Sequence, residues 1–205
     1  LRQGSVAGIS ARVFRISFSG ELAFEINVSA DDGVALWESL MEAGGEYDIT
    51  PYGTETMHVL RAEKGYVIVG QDTDGSVTPA DLGMDWIVSK TKDFIGKRSL
   101  VRSDMLRENR KQLVGLVTDQ PQKVLPEGTQ LVNEPSTDYP VPMTGHVTSS
   151  YYSSILGRSI ALALVKGGHS RLGASVYAPT LDGQLIEAII TSPVFYDPEN
   201  KLHKT

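Results

Sequence analysis

Phe14, Ile16 and Phe18 alternate with Arg15, Ser17 and Ser19, the period-two pattern of a half-buried strand over residues 12–19. The chain then reverses at Gly20-Glu21. Phe24, Ile26 and Val28 alternate with Glu25 and Asn27, which predicts a second strand after a tight, hairpin-like connection. After Ser29 the period changes to that of a helix. Val34, Leu36, Trp37, Leu40 and Met41 recur at helical spacing, between a Ser29–Asp32 pair spaced as a capping box and the terminating Gly44-Gly45. Trp37, a large aromatic on an amphipathic element, is expected in the core. A second helix is expected over residues 52–63, opened by Thr50-Pro51 and closed by Lys64 and Gly65.

Further on, the apolar run 66–70 reads as a strand, residues 71–75 as a turn, and 86–88 as another strand. Charge crowds residues 90–111, with a short helix expected over 99–107. This polar stretch separates two differently patterned halves, so the domain boundary is placed near residue 105, giving domains 1–105 and 106–205. Beyond it, short β-rich segments at 113–117, 130–132, 146–148, 160–165, 175–177 and 185–191 are divided by Gly, Pro and Asp clusters. Such spacing suggests a small antiparallel barrel or sandwich.

Composition narrows the chemistry. Nineteen Lys and Arg against twenty-five Asp and Glu leave a net charge of −6, which offers no electrostatic footprint for a phosphate backbone, so nucleic acid is not expected as a partner. The sequence has no cysteine, which removes disulfides, thiolate nucleophiles and cysteine-based metal sites and fits a reducing compartment; the cytoplasm is expected. No apolar stretch reaches the roughly 18 residues of a membrane helix, and no membrane partner is expected. The chain opens on Leu1 with a strand pattern soon after, so it is expected to be a piece of a longer protein.

The common catalytic motifs are missing. No glycine-rich nucleotide loop follows a strand, and the four histidines, His58, His146, His169 and His203, form no H-E-x-x-H, so no metal site is expected. The hydroxyl-rich stretch 148–154 lacks a nucleophile elbow and reads as a polar loop. Lys166, His169 and Arg171 around Gly167-Gly168 make a small basic turn, read as a solvated hairpin tip. The first β-turn-β is different, because Phe18, Glu21 and Glu25 place an aromatic ring and two carboxylates around a backbone reversal. A carboxylate facing a cavity accepts two hydrogen bonds from an aminopyrimidine-like edge, and a ring packs on its flat face; solvent is the other reading of that face.

These residues resemble the glycine-cleavage T-protein (aminomethyltransferase) family, most of all the copy of that fold at the C-terminal end of sarcosine oxidase alpha subunits. The resemblance rests on Arg15-Ile-Ser-Phe-Ser-Gly-Glu-Leu-Ala-Phe-Glu25, Thr50-Pro-Tyr-Gly-Thr-Glu, Leu60-Arg-Ala-Glu-Lys-Gly-Tyr66 and Gly70-Gln-Asp72. It continues through Thr78-Pro-Ala-Asp-Leu-Gly83, Lys92-Asp-Phe-Ile-Gly-Lys97, Gly145-His-Val-Thr-Ser149 and Ser192-Pro-Val-Phe-Tyr-Asp197. Each piece alone is weak, whereas their succession, over nearly the whole chain, is specific.

The resemblance implies an α+β fold: the later part of a tetrahydrofolate-binding T-protein-like domain, followed by a small antiparallel β-barrel. It implies that Glu25, at the second Glu of the family's Y-T-G-E-x-G-x-E pattern, holds the pterin edge. Phe18 stands at the pattern's leading Tyr without its hydroxyl, and Tyr66 lines the folate pocket. Thr56-Met57-His58 replaces the family's usual Ala-Arg-Asp, so a folate-contacting Arg is absent at Met57. The family's catalytic Asp falls in the earlier half, so no catalytic residue is assigned in this segment, and the isolated segment is expected to be inactive and to cover its open surface by forming oligomers. For the parent enzyme the resemblance implies oxidative demethylation of sarcosine. Its partners would be a flavin-bearing beta subunit and the N-terminal part of the same chain, with flavin and NAD bound elsewhere in the complex and the one-carbon unit captured here by tetrahydrofolate.

Two other readings stand beside it. One is a folate-binding member of the fold that assists iron–sulfur assembly, whose Lys-Gly-Cys-Tyr-x-Gly-Gln-Glu motif is faintly echoed by Lys64-Gly65-Tyr66 and Gly70-Gln71-Asp72 but without the cysteine. The other is a non-catalytic scaffold or docking module. A folate site needs Glu25 in a cavity, whereas a scaffold lets it face solvent.

Overall fold

The computed structural model describes residues 1–136 and 140–204. They form two compact units, one of Leu1–Arg61 with Asp197–Thr205 and one of Ala62–Tyr196. Residues 62–105 thus group with the barrel in compactness.

The first unit holds a three-stranded antiparallel sheet, β1 (Arg2–Val6), β2 (Ile9–Phe14) and β3 (Glu25–Asn27), in that spatial order. Strand β1 escapes pattern reading because four of its five residues are exposed and Val6 is its one apolar side chain. Its hairpin to β2 turns at Ala7 and Gly8, with φ of 51° and 80°; two successive left-handed residues match the twist of the flanking strands. Strand β2 starts and ends earlier than the alternation suggests. Its last pair is Phe14 with Glu25, which leaves Ile16 and Phe18 in a loop spanning 15–24 instead of a tight turn. That loop is stapled locally, Ser17 Oγ accepting a 2.9 Å hydrogen bond from the Gly20 amide.

Helix α1 (Gly33–Gly44) follows a 3₁₀ turn at Ala30–Asp32, and α2 is Thr54–Glu63. The expected capping box does not form: neither Ser29 nor Asp32 caps with its side chain, and the acidic Asp31 and Asp32 complement the helix dipole instead. Helix α2 begins beyond Thr50-Pro51, with the Met57 amide bonded to the Gly53 carbonyl. Leu36 is buried, but Trp37 is 56% exposed, which corrects its expected core position. Neighbouring residues on a helix point about 100° apart, so a helix covered on one side only cannot bury both. A last short helix, α3 (Lys201–Lys204), is capped by Asp197, which accepts from the Lys201 and Leu202 amides at 2.8 and 3.2 Å.

The second unit is built on a closed six-stranded barrel. Its strands are β4 (Lys111–Thr118), β5 (Gln130–Val132), β6 (Met143–Ser153), β7 (Arg158–Lys166), β8 (Ser175–Pro179) and β9 (Leu185–Thr191). They run around the barrel in the order β4-β7-β6-β5-β8-β9, every pair antiparallel. All six expected β segments lie within these strands. Inward residues alternate along each strand, as with Ile186, Ala188 and Ile190 of β9, and fill the barrel together with Leu116, Leu131 and Val147.

Strand β7 reads as a continuous apolar run because both its faces are covered. Leu162 and Leu164 point outward with Leu113, and Val67, Val77, Leu82 and Phe195 pack over them. Residues 62–82 and 193–196 therefore form a second layer on the barrel, joined by hydrogen bonds from the Phe195 and Tyr196 amides to the Glu63 carbonyl at 2.9 and 3.0 Å. That layer holds no regular strand at 66–70, where only an isolated Val69–Thr73 bridge forms. Residues 85–87 make a 3₁₀ turn that leaves Trp86 79% exposed, and the expected helix at 99–107 is a 3₁₀ turn at Lys97–Val101.

Candidate functional site

Register decides which side chains share Glu25's surroundings. Arg12 pairs with Asn27, Phe14 with Glu25, and Gln3 with Arg12, so these side chains stand on one face of the sheet together with Ser5 and Ser10. The opposite face carries Val6, Ile9, Ala11, Val13 and Ile26. A groove of about 480 Å³ crosses the polar face between Gln3, Ser10, Arg12, Asn27 and Ser29. Glu25 is exposed beside it, and Asn27 Nδ2 donates a 2.8 Å hydrogen bond to Glu25 Oε1, fixing one carboxylate oxygen and leaving the rest of the group's lone pairs open to a ligand.

Phe18 is 40% exposed in the loop between β2 and β3. Phe24 is more exposed and lines a separate open groove of about 600 Å³ with Arg2, Val6, Val13 and Arg15, whose guanidinium donates to the His203 carbonyl at 3.1 Å. The first unit thus carries Glu25 and Phe18, and Tyr66 belongs to the second unit, half-buried after α2. Gly65 sets its position: φ is +68°, and a side chain there would meet the Pro193 carbonyl oxygen at 2.6 Å, so the close approach of the two segments requires glycine.

The hydroxyl-rich stretch is no loop. It lies in β6, where the pairing shifts register between Val147 and Ser149. This bulge sends two consecutive hydroxyls the same way. Thr148 Oγ1 and Ser149 Oγ both donate to Asp72 Oδ1, at 2.5 and 2.6 Å, while Asp72 Oδ2 accepts from the Ile68 amide at 2.9 Å. Gln71 adds 3.1 Å hydrogen bonds from Nε2 to Ser149 Oγ and Glu127 Oε1. Ser153, at the end of the strand, donates to Glu63 Oε1 at 2.6 Å. Asp72, Ser149 and Ser153 are fully buried, so these hydroxyls lock the 68–73 turn to the barrel and are not exposed nucleophiles.

A second buried carboxylate closes the same layer. Asp81 accepts from the Thr78 amide and hydroxyl at 2.8 and 2.7 Å and from Arg110 Nε and Nη2 at 2.9 and 2.6 Å. Burial pushes its carboxyl up, but the hydrogen bonds from Arg110 and Thr78 outweigh that and hold it below the usual carboxylate range. His146 is driven the other way for a base: desolvation and the nearby Lys111 ammonium lower its pKa, against a weaker pull from Asp74.

In the basic turn at 166–171, His169 and Arg171 are held internally while Lys166 is exposed. Arg171 binds Thr144 Oγ1 and Asn133 Oδ1, and His169 meets the Leu113 carbonyl through Nε2 and Gln112 Oε1 through its amide. Sequence reasoning missed Arg12 and Asn27, and also the Asp72 and Asp81 clusters. The period-two pattern already puts Asn27 on Glu25's side of its strand, whereas Arg12 needed the cross-strand register.

The model of the GCVT N-terminal domain matches residues 1–92, and that of the glycine cleavage T-protein C-terminal barrel domain matches residues 111–197. Sarcosine oxidase subunit alpha of Corynebacterium sp. (strain P-1) is 54% identical over 195 residues, which cover 94% of this chain and 20% of that protein. Aminomethyltransferase of Thermotoga petrophila is 32% identical over 95% of this chain and 51% of its own. Among solved structures, the glycine cleavage system aminomethyltransferase T from Bartonella henselae superposes with a TM-score of 0.77 at 25% identity, covering 91% of this chain and 50% of that one. The chain thus spans a fifth of the sarcosine oxidase relative and about half of the aminomethyltransferases.

Proposed function

The chain belongs to the glycine cleavage T-protein family, and from that premise we propose that it is the tetrahydrofolate-binding region of a sarcosine oxidase alpha subunit. In this reading the region captures the one-carbon unit from oxidative demethylation of sarcosine as methylene-tetrahydrofolate. The cavity expected around Glu25 is not what the structure has, since the residue is exposed beside the 480 Å³ groove and does not line it. What carries the reading is the carboxylate itself, oriented by Asn27 and with unfilled acceptor capacity, at the family's pterin-edge position. A pterin offers a 2-amino group and an N3–H side by side, and a carboxylate is the side chain that accepts both.

The donor set fits that group. Glu25 accepts the pterin edge, Asn27 holds the carboxylate's orientation, and the ring of Phe18 provides apolar contact surface. Bound tetrahydrofolate supplies the N5 and N10 nitrogens that take up the one-carbon unit. The work left to this chain is positioning: holding a flat heterocycle in a fixed orientation lowers the entropic cost of meeting an electrophile.

We place catalytic groups outside this segment, together with flavin and NAD, on the rest of the alpha chain and on a flavin-bearing beta subunit. The domain boundary is placed near residue 105, a reading supported by family matches that stop at 92 and resume at 111. We assign the protein to the cytoplasm, in keeping with a sequence without cysteine. A scaffold or docking role is the second reading, favoured by the exposed apolar side chains Val34 and Trp37 on α1. Calorimetric titration with tetrahydrofolate separates the two: saturable binding is expected, and its absence overturns the folate reading.

A further inference from the structure

The register that places Glu25 also sets a cation beside it. Arg12 is exposed on the same face, lines the 480 Å³ groove, and among the described residues its guanidinium makes no hydrogen bond or ion pair. Its direct cross-strand partner is Asn27, the residue that orients Glu25, so Arg12 and Glu25 are diagonal neighbours. Such neighbours lie roughly 7–8 Å apart at the backbone, within reach of a long side chain.

We propose that Arg12 is a specificity-determining residue of this face, donating to the acceptor edge of the heterocycle whose donor edge Glu25 takes. This rests on the folate reading of Glu25. A 4-oxo tetrahydropterin presents donors at the 2-amino group and N3 and then, on the adjoining edge, the O4 acceptor. A carboxylate only accepts and a guanidinium only donates, so neither side chain alone reads the whole pattern. Side by side they do. A 4-amino pterin puts a donor where O4 was, facing the guanidinium's own donors, and the mismatch leaves polar groups unpaired. Arg12 therefore adds its discrimination of the 4-oxo from the 4-amino heterocycle to that of Glu25, which in the 4-amino compound loses N3–H and keeps only the 2-amino donor.

The test is calorimetric titration of the protein and its variants with tetrahydrofolate and with 4-amino-tetrahydrofolate. Arg12→Ala is expected to weaken tetrahydrofolate about tenfold and to leave the 4-amino compound unweakened, with Arg12→Lys intermediate. Glu25→Ala is expected to weaken both compounds. Arg12 is a surface residue, so circular dichroism of its variants should match the parent. An unchanged tetrahydrofolate affinity in Arg12→Ala, or an equal loss for both compounds, overturns the role of Arg12 while leaving Glu25 standing. Unchanged binding in Glu25→Ala, or no saturable binding by the parent protein, overturns the folate reading and this inference with it.

Discussion

Asn27 Nδ2 donates a 2.8 Å hydrogen bond to Glu25 Oε1, two positions back along the same strand. Residues i and i+2 of a strand share a face, so this contact follows from the pleat, and it selects one carboxylate orientation from several.

The first prediction concerns that contact. Asn27→Ala frees the Glu25 side chain to rotate without removing its charge. Tetrahydrofolate affinity should fall about threefold, less than the loss from any change at Glu25, since a solvent-exposed hydrogen bond that only orients the carboxylate is worth roughly 0.5–1 kcal/mol. Thermal stability should hardly move. Calorimetry and a melting curve on the same sample check both statements.

The second concerns Asp72, which receives two buried hydroxyls on one oxygen. Asp72→Ala removes the acceptor shared by both hydroxyls and the one that holds the Ile68 amide, and is expected to cost about 3 kcal/mol of stability. Adding Thr148→Val and Ser149→Ala should recover part of that loss, because the hydroxyls go with their shared acceptor. Chemical denaturation of the series measures it, and strictly additive costs would show that Asp72 is not the hub of this network.

The third follows from the Asp81–Arg110 pair. Asp81 titrates below its ordinary value in the folded protein, so the folded state binds its proton less tightly than the unfolded chain. The pair's stabilisation is present above about pH 4, the unfolded value, and is lost as pH falls through the lower, folded one. Arg110→Ala leaves a buried charge uncompensated and should cost about 3 kcal/mol at pH 7, with the deficit shrinking on acidification. A deficit independent of pH would mean that the pair contributes through packing alone.

The fourth sets two neighbours against each other. Leu36 is 7% exposed and Trp37 56%. Leu36→Ala should lose about 2–3 kcal/mol, whereas Trp37→Gln should stay within about 0.5 kcal/mol of the parent. Denaturation curves decide, and a large Trp37 effect would show that this face is covered in solution.

Much of this was legible from residue order. The six barrel segments were located because Gly, Pro and Asp clusters bracket short β-rich runs. Helices α1 and α2 followed from spacing, and the family resemblance followed from motif succession. Three things were not legible. Strand β1 has almost no apolar signal and is held by its partner and a left-handed turn. The hydroxyls of 148–153 looked like loop chemistry because a local pattern cannot show a buried carboxylate 76 or 77 positions away. Trp37 looked like core because an amphipathic pattern marks an apolar face without saying what covers it. At the candidate site, Glu25, Phe18 and Tyr66 were marked by motif, but Arg12 became visible only once its strand was paired with Asn27.

The most direct measurement is the tetrahydrofolate affinity of Glu25→Gln beside the parent protein, by calorimetry at pH 7. The substitution keeps size and shape and removes the charge and one acceptor. A carboxylate that accepts the pterin's paired donors predicts about 2 kcal/mol weaker binding, roughly 30-fold, with an unchanged melting temperature. Affinity within twofold of the parent would contradict it and leave this face to a scaffold role.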